Sequence, residues 1–410
     1  MTAVALLNAY STPFLLADTL LTSAGKDPEQ DRIAYLPGVG ERPTNYISKD
    51  GPRYIQSLGR KTLIFPAYSG VMAFAGNLTS AMTLWENVSE RFLNQVSFNP
   101  TARINLQIFE DYLNGLSSEA MNISLLGITV DADGQFHPLA HRADEFNTKN
   151  FGVCFVAGSG GDDLKETILE YDELVESRKG ARSNGKSHTE DLAHVICIKG
   201  LYLDSDFRNG NDLISPLSKS YGGVFEGLEV TKHGATRLAP RLDLHISTKS
   251  DEIQITRAYW VDNLELIQPE GTSYASQRYY IQVLELGELC APLMSIPISD
   301  GFLEVAFTRG YSSIAEPAWC TEQAIVMNSS CGFFGRNYFR EVDEELLNHL
   351  LPDPIEIKSV RVVHSHEQRS PRIRTFPTKD GAPSNVTIYR NEKNIQLRIP
   401  SDFIVWLMQH

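Results

Sequence analysis

The sequence predicts an α+β sandwich in its first part, antiparallel sheets with helices over both faces, and a mostly β region after it. Two patterns carry that expectation. Across residues 1–235, apolar runs of strand length alternate with pairs of helical stretches, in the order strands, two helices, strands, two helices, strands. From residue 236 to 410, period-two alternation takes over, as in Leu242–Ser247, Ile253–Ala258, Tyr280–Leu286 and Asn394–Ile399.

The opening, MTAVALLNAYSTPFLLAD, reads as two short strands, Thr2–Leu7 and Phe14–Ala17, around a turn from Asn8 to Thr12. It has no basic start, and Pro13 and Asp18 break its apolar run, so a secretory signal is not expected. Residues 23–60 are rich in glycine and proline (Gly25, Gly38, Gly40, Gly51, Gly59, Pro28, Pro37, Pro43, Pro52) and read as a loop. Thr62–Phe65 and Gly70–Ala75 form the next hairpin. A helix starts at Thr79, with Met82, Leu84, Trp85, Val88, Phe92 and Leu93 at helical spacing, and a second covers Arg103–Leu116. Strands at Ile123–Val130 and Gln135–Leu139 flank the turn Asp131-Ala132-Asp133-Gly134. NFGVCFVAGSGG is a buried strand ending in a glycine-rich turn; helices Asp162–Val175 and Glu190–Leu203, separated by the polar loop Ser177–Ser187, and the strand SYGGVFEGLEV complete this part. Farther on, Val342–Leu351 reads as a helix and Phe403–Met408 as a closing apolar run.

Composition narrows the function classes. The chain has 410 residues, 42% of them hydrophobic, and a net charge of −14. So acidic a chain does not suit nucleic acid, whose phosphates call for a basic surface. No stretch reaches the roughly 18 apolar residues of a membrane-spanning helix. The five cysteines, Cys154, Cys197, Cys290, Cys320 and Cys331, form no CxxC pair and read as reduced thiols of a cytoplasmic protein.

The chemistry begins at Thr2. A small residue behind Met1 favours methionine excision, which would leave threonine at the N-terminus. Such a residue holds both parts of a nucleophilic catalyst: its hydroxyl attacks, and its α-amine, titrating near pH 8, is the adjacent base. A lysine held by an aspartate would tune that amine. Asp18 and Lys61 supply those types. Taken singly, Asp18 reads as a turn residue, and Lys61 beside Arg60 as a solvated edge charge. Gly76, where the strand in AFAGN runs into a helix, offers a bare N–H to an oxyanion, and Ser159 lies in a second strand-to-helix turn. His364-Ser365-His366-Glu367 has metal-ligand residue types, but the flanking EQRSPRIR reads as a solvated loop, no second cluster is near in sequence, and no metal is expected.

Together these motifs resemble the proteasome β-subunit family, in particular the bacterial ATP-dependent relatives with threonine active sites. The likeness covers about residues 2–230. Thr2 falls on the nucleophile; Asp18, sixteen residues on, falls on the catalytic aspartate; and Thr22 falls where a backbone binds substrate. KTLIFPAYSGVMAFAGNLTSAMTLWENV resembles the lysine strand, hairpin, glycine turn and first helix, so Lys61 matches the catalytic lysine and Gly76 the oxyanion-hole glycine. AGSGG matches the turn that brings a serine, here Ser159, to the nucleophile. Leu21, Leu63, Phe74, Leu78 and Met82 match the walls of the pocket for the residue before the scissile bond.

The resemblance implies a four-layer αββα N-terminal nucleophile hydrolase sandwich over residues 1–235, with 23–60 as an insertion and 236–410 as a separate β-rich domain. It implies a threonine peptidase or amidohydrolase that needs no cofactor. Its implied partners are a peptide or protein substrate, further copies of the chain in a ring, and an ATP-dependent unfoldase. Two positions depart from the family pattern: Ser218 and Tyr221 stand where the late strand usually carries an Asp and a Ser. The alternative reading is therefore a catalytically impaired scaffold or binding protein on the same fold.

Overall fold

The computed structural model describes residues 2–29, 32–36, 40–65, 69–115, 122–177, 185–208, 216–249, 252–266, 277–286, 289–292, 302–309, 319–329, 355–357, 359–366, 369–377, 386–390 and 394–400. Among them are four α-helices and many strands, mostly antiparallel. The chain divides into two compact units, with the first of several boundaries between Leu238 and Ala239.

In the first unit the strands are β1 (Ala3–Leu7), β2 (Phe14–Asp18), β3 (Leu20–Ala24), β4 (Ile33–Leu36), β5 (Gly40–Pro43), β6 (Asn45–Ser48), β7 (Gly51–Leu58), β8 (Thr62–Ile64), β9 (Gly70–Gly76), β10 (Ile123–Val130), β11 (Phe136–His141), β12 (Asp144–Asn147), β13 (Val153–Gly158), β14 (Phe225–Thr231) and β15 (Gly234–Arg237). The helices are α1 (Leu78–Phe98), α2 (Leu106–Asn114), α3 (Gly161–Ser177) and α4 (Gly185–Arg208). One six-stranded sheet runs β12-β13-β1-β2-β14-β15, and a four-stranded sheet runs β11-β10-β9-β8.

Period-two alternation decides which face each apolar side chain joins. Val4, Leu6, Leu15 and Ala17 of one sheet share a core with Val71, Ala73, Ala75, Leu126 and Ile128 of the other. On the opposite face of β1 and β2, Ala3, Ala5, Leu7, Phe14 and Leu16 pack with Leu164, Ile168 and Tyr171 of α3 and Leu192 and Ile196 of α4. On the opposite face of β9, Met72 and Phe74 pack with Ala81, Leu84, Val88 and Phe92 of α1 and Ile108 and Phe109 of α2. Strands buried on both faces read as continuous apolar runs, which is why AVALL shows no polar residue.

Side-chain caps fix the helix starts. Asn77 Oδ1 accepts from Ser80 N at 2.9 Å to start α1, and Asn105 Oδ1 accepts from Ile108 N at 3.2 Å to start α2. α3 opens on Asp162 and Asp163, which favour the positive end of its dipole. Leu93 departs from the expected stripe: it is 64% exposed, because the buried row of α1 is Ala81, Leu84, Val88 and Phe92, and the next residue turns about 100° away. β12 and β15 were not expected; both are four-residue edge strands with little apolar content.

The loop expected over residues 23–60 is instead largely strand. β3 pairs with β7, β7 with β6, and β4 with β5. The glycines and prolines sit largely at strand ends: Gly40 opens β5, Pro43 closes it, and Gly51 starts β7 at φ +111° after the Lys49-Asp50 turn. Asp27 ties together the segments that join these two small sheets, β3-β7-β6 and β4-β5. Its Oδ2 accepts from the Thr44 hydroxyl at 2.6 Å and from Arg32 Nε at 3.0 Å, and its Oδ1 accepts from Glu29 N at 3.0 Å. Arg32 Nη2 in turn donates to Ile55 O at 2.9 Å on β7. Burial works to raise the Asp27 carboxyl, but the hydrogen bonds from Thr44 and Glu29 and the Arg32 charge together hold it below the usual carboxylate value. A carboxyl with a depressed folded pKa stabilises above its ordinary pKa, and that stability is lost as pH falls through the depressed value. Asp27→Asn should therefore cost about 1–3 kcal/mol at pH 7. Urea melts of variant and wild type should converge in acid; equal stability at pH 7 would show that Asp27 does not hold these segments together.

The second unit is described separately. Eleven strands between Leu242 and Pro400 form one sheet among the described residues. Its middle pairs β16 (Leu242–Lys249) with β17 (Glu252–Leu266) antiparallel, and β16 with the strand Ser359–His366 in parallel. The expected helix Val342–Leu351 and the run Phe403–Met408 lie outside the described residues, as do Leu116, Glu367 and most of the loop Ser177–Ser187.

Candidate active site

The candidate site is set by the register of β1. Ala3 pairs with Gly158 of β13, and Val4 pairs with Ala17 of β2, so Thr2 reaches the end of β13 as Asp18 closes β2. Thr2 is 1% exposed. Its carbonyl accepts from Gly160 N at 3.3 Å. A Cβ at Gly158 would stand 2.0 Å from Thr2 O and 3.1 Å from Ala75 Cβ, and Gly158 has φ +90°. Only glycine fits a left-handed position so close to another backbone. The same contact brings Thr2, the AGSGG turn and the end of β9 together. Ser159, in the middle of that turn, has a buried Oγ with no hydrogen-bond partner among the described residues.

Asp18 is the hub. Its Oδ1 accepts from Lys61 Nζ at 2.7 Å and from Ala3 N at 2.9 Å, and its Oδ2 accepts from Gly222 N at 3.0 Å. One carboxylate thus ties Lys61, the residue after Thr2 and the turn before β14. Lys61 Nζ also donates to Leu20 O at 2.6 Å. Both side chains are fully buried. Burial pushes the Lys61 ammonium down from the ordinary lysine value, against the opposing pull of Asp18 and, more weakly, Glu226. Lys61 is therefore not the solvated edge charge that its Arg60 neighbour suggested; Arg60 is buried too.

Lys61 O accepts from Phe74 N at 3.3 Å, which links the lysine segment to β9 two residues before Gly76. Gly76 is exposed, has φ +104°, and directly precedes the Asn77 cap of α1. A Cβ there would stand 2.3 Å from Asn122 O. Leu63 and Phe74 lie in one buried cluster with Leu78 and Met82 packed against it. Leu21 is half-buried on β3 opposite Ser57 and is not part of that cluster. Thr22 sits at a bulge of β3, its Oγ1 buried without a partner among the described residues.

The expected strand SYGGVFEGLEV is strand only from Phe225; Ser218 lies in a short 3-10 turn, Pro216–Lys219, and Tyr221 in the loop between it and β14. The Tyr221 ring packs where a Gly160 Cβ would stand, 2.6 Å from its Cδ1, and its hydroxyl donates to Asp163 Oδ2 at 2.9 Å. Ser218 O accepts from Lys49 N at 3.1 Å, so the turn between β6 and β7 also touches this segment. Sequence reasoning missed the amides of Ala3 and Gly222 and the pair Arg60–Glu226. The one signal for the last was a glutamate inside the apolar run VFEGLEV.

Cys154 offers no competing nucleophile: burial pushes its thiol up to about 11. No group of three or more His, Cys, Asp or Glu converges to hold a metal among the described residues, and none of their helices is long and apolar enough to cross a membrane. A scan against protein-family models finds no match, and neither does a search of curated proteins.

Proposed function

We propose that the chain is an N-terminal threonine hydrolase, most simply a peptidase, built on a four-layer αββα sandwich. The observation that carries the reading is the fully buried Asp18–Lys61 pair, tied through one carboxylate to the backbone beside Thr2. A buried ion pair is a weak stabiliser, so stability alone is a poor reason to place one here. The fold assignment rests on the three apolar cores and the order of the elements.

In this mechanism Met1 is removed and the Thr2 hydroxyl attacks the substrate carbonyl. The α-amine of Thr2 takes the hydroxyl proton and passes it to the leaving amine, while Lys61, held by Asp18, sets the local field. The Gly76 amide stabilises the oxyanion; removing a donor of this kind costs about 10²–10³ in rate. Water then hydrolyses the ester on Thr2 and restores the hydroxyl. The unpartnered Ser159 hydroxyl is available to this proton traffic. No cofactor is required. Assembly into a ring and service to an ATP-dependent unfoldase in the cytoplasm belong to the same proposal, with native mass as the check on assembly.

The test is an intact-mass measurement followed by labelling with a peptide epoxyketone, which reacts with an N-terminal hydroxyl and amine together. Loss of Met1 and one adduct at Thr2 are expected. A processed but unreactive protein would favour the second reading, a scaffold, for which Ser218 and Tyr221 are the specific observation.

Specificity follows from the pocket walls. Leu21, Leu63, Phe74, Leu78 and Met82 bear no charge, so a substrate Lys or Asp buried there would incur roughly several kcal/mol of unpaired desolvation. Phe74 is fully buried, so a pocket bounded by these residues would be shallow. Fluorogenic peptides with Ala, Val or Leu before the scissile bond should be cut fastest, with loose preference among them, because a methylene is worth only about 1–3 kcal/mol. Faster cleavage after Lys or Asp would show that other residues line the pocket.

A further inference from the structure

Glu226 stands on the inter-sheet face of β14. Leu228 and Val230, at the alternate positions that share its side of the strand, belong to the core between the two sheets, and Glu226 is itself 4% exposed. A carboxylate in such a place is strongly destabilising unless it is paired and hydrogen-bonded. Both partners come from the segment entering β8. Arg60 Nε lies 3.4 Å from Glu226 Oε1, and the Thr62 hydroxyl donates to Oε2 at 2.9 Å. Arg60 Nε also reaches Thr62 Oγ1 at 3.4 Å.

Those partners are the residues on either side of Lys61. Two consecutive buried cations are therefore each matched to a carboxylate from a different strand: Lys61 to Asp18 of β2, and Arg60 to Glu226 of β14. The two strands are neighbours, with Asp18 opposite Phe225 and Ala17 opposite Glu226, so the carboxylates emerge from adjacent rungs of one ladder. We propose that Glu226 is a positioning residue for Lys61: it grips the residues on both sides, fixes the peptide that aims the ammonium at Asp18 and Leu20, and places a second carboxylate beside the lysine segment.

The charged groups around Lys61 are Asp18 from β2, in direct contact with it, and Glu226 from β14 and Arg60 from its own segment, which pair with each other. Burial acts to take the proton off Lys61, and Asp18 and, more weakly, Glu226 oppose it. A residue that merely filled space between the sheets would leave that balance untouched. What the ammonium is for rests on the threonine-hydrolase reading; where it is held and how it titrates do not.

The test reads Lys61 directly. In protein carrying ¹³C at lysine Cε, the Lys61 resonance is assigned by its loss in Lys61→Met and followed with pH. Glu226→Gln keeps the shape and an acceptor for Thr62. It should lower the Lys61 midpoint by roughly one pH unit and, at the wild-type optimum, slow epoxyketone labelling of Thr2 about tenfold. Because this variant takes the carboxylate away from Arg60, Arg60→Met with Glu226→Gln is the companion. It removes both buried charges, should fold as stably as wild type, and should still titrate Lys61 below the wild-type midpoint. A wild-type Lys61 midpoint in either folded variant overturns the proposal. A wild-type protein that never labels, with the Lys61 midpoint still shifted in Glu226→Gln, refutes the hydrolase reading and leaves the role of Glu226 standing.

Discussion

Thr2→Ala is expected to abolish epoxyketone labelling and peptide cleavage, with a loss of about 10³-fold or more, and to leave the melting temperature within a degree or two of wild type. Alanine at this position still permits Met1 excision and still carries an α-amine, so only the hydroxyl is removed. The described contact that anchors Thr2 is its carbonyl, which accepts from Gly160 N, and the next amide, Ala3 N, donates to Asp18. Neither depends on the side chain, which is why stability should hold while chemistry fails. Thr2→Ser keeps the nucleophile and should retain most of the activity. Ser159, a second hydroxyl in the site, gives the experiment a competing outcome: if Ser159 were the nucleophile, Thr2→Ala would stay active. Cleavage near the wild-type rate in Thr2→Ala would end the threonine mechanism.

The parts of this site that were legible in the sequence are those fixed by local register. Thr2 and Asp18 lie at the open ends of a short hairpin, so their separation along the chain sets their separation in space. Lys61 and Gly76 are bound to one another by the β8–β9 hairpin in the same way, with Thr62 opposite Ala73. The glycine-rich turn after β13 was legible because a strand followed by AGSGG and an acidic helix start has few other uses.

What could not be read was long-range. Glu226 meets Thr62 across 164 residues, and nothing local marks either as a partner of the other. The strands of residues 23–60 are hidden in the sequence because glycine and proline read as loop signals, whereas in the fold they largely punctuate short strands whose partners are distant, as with Leu20 and Leu58. Asp27 gave no pattern at all, because its partners Arg32 and Thr44 become neighbours only after the small sheet has formed. Leu93 shows the converse error: an apolar residue next to a buried stripe is not part of it when the helix turns it outward.

Lys61→Ala should be nearly as damaging to activity as Thr2→Ala, and far more damaging to stability. The side chain is fully buried and donates to Asp18 at 2.7 Å and Leu20 O at 2.6 Å, so its removal leaves a fully buried carboxylate without its counter-charge and a carbonyl without its donor. Breaking a buried pair from one side typically costs about 3–5 kcal/mol, and alanine adds the cost of an unfilled space. The backbone amides of Ala3 and Gly222 still serve Asp18, which places the expected loss in the lower half of that range. Lys61→Met keeps most of the volume and isolates the electrostatic part. Lys61→Met with Asp18→Asn removes both charges and should recover most of the stability but none of the activity, since the amine of Thr2 is then tuned by neither group. Urea melts of the two single variants and the double variant give the coupling energy directly, and labelling rates give the chemical effect separately. A coupling energy near zero would mean that the two side chains do not share a buried site. Full labelling of the double variant would mean that Thr2, if it reacts at all, needs no lysine to do so.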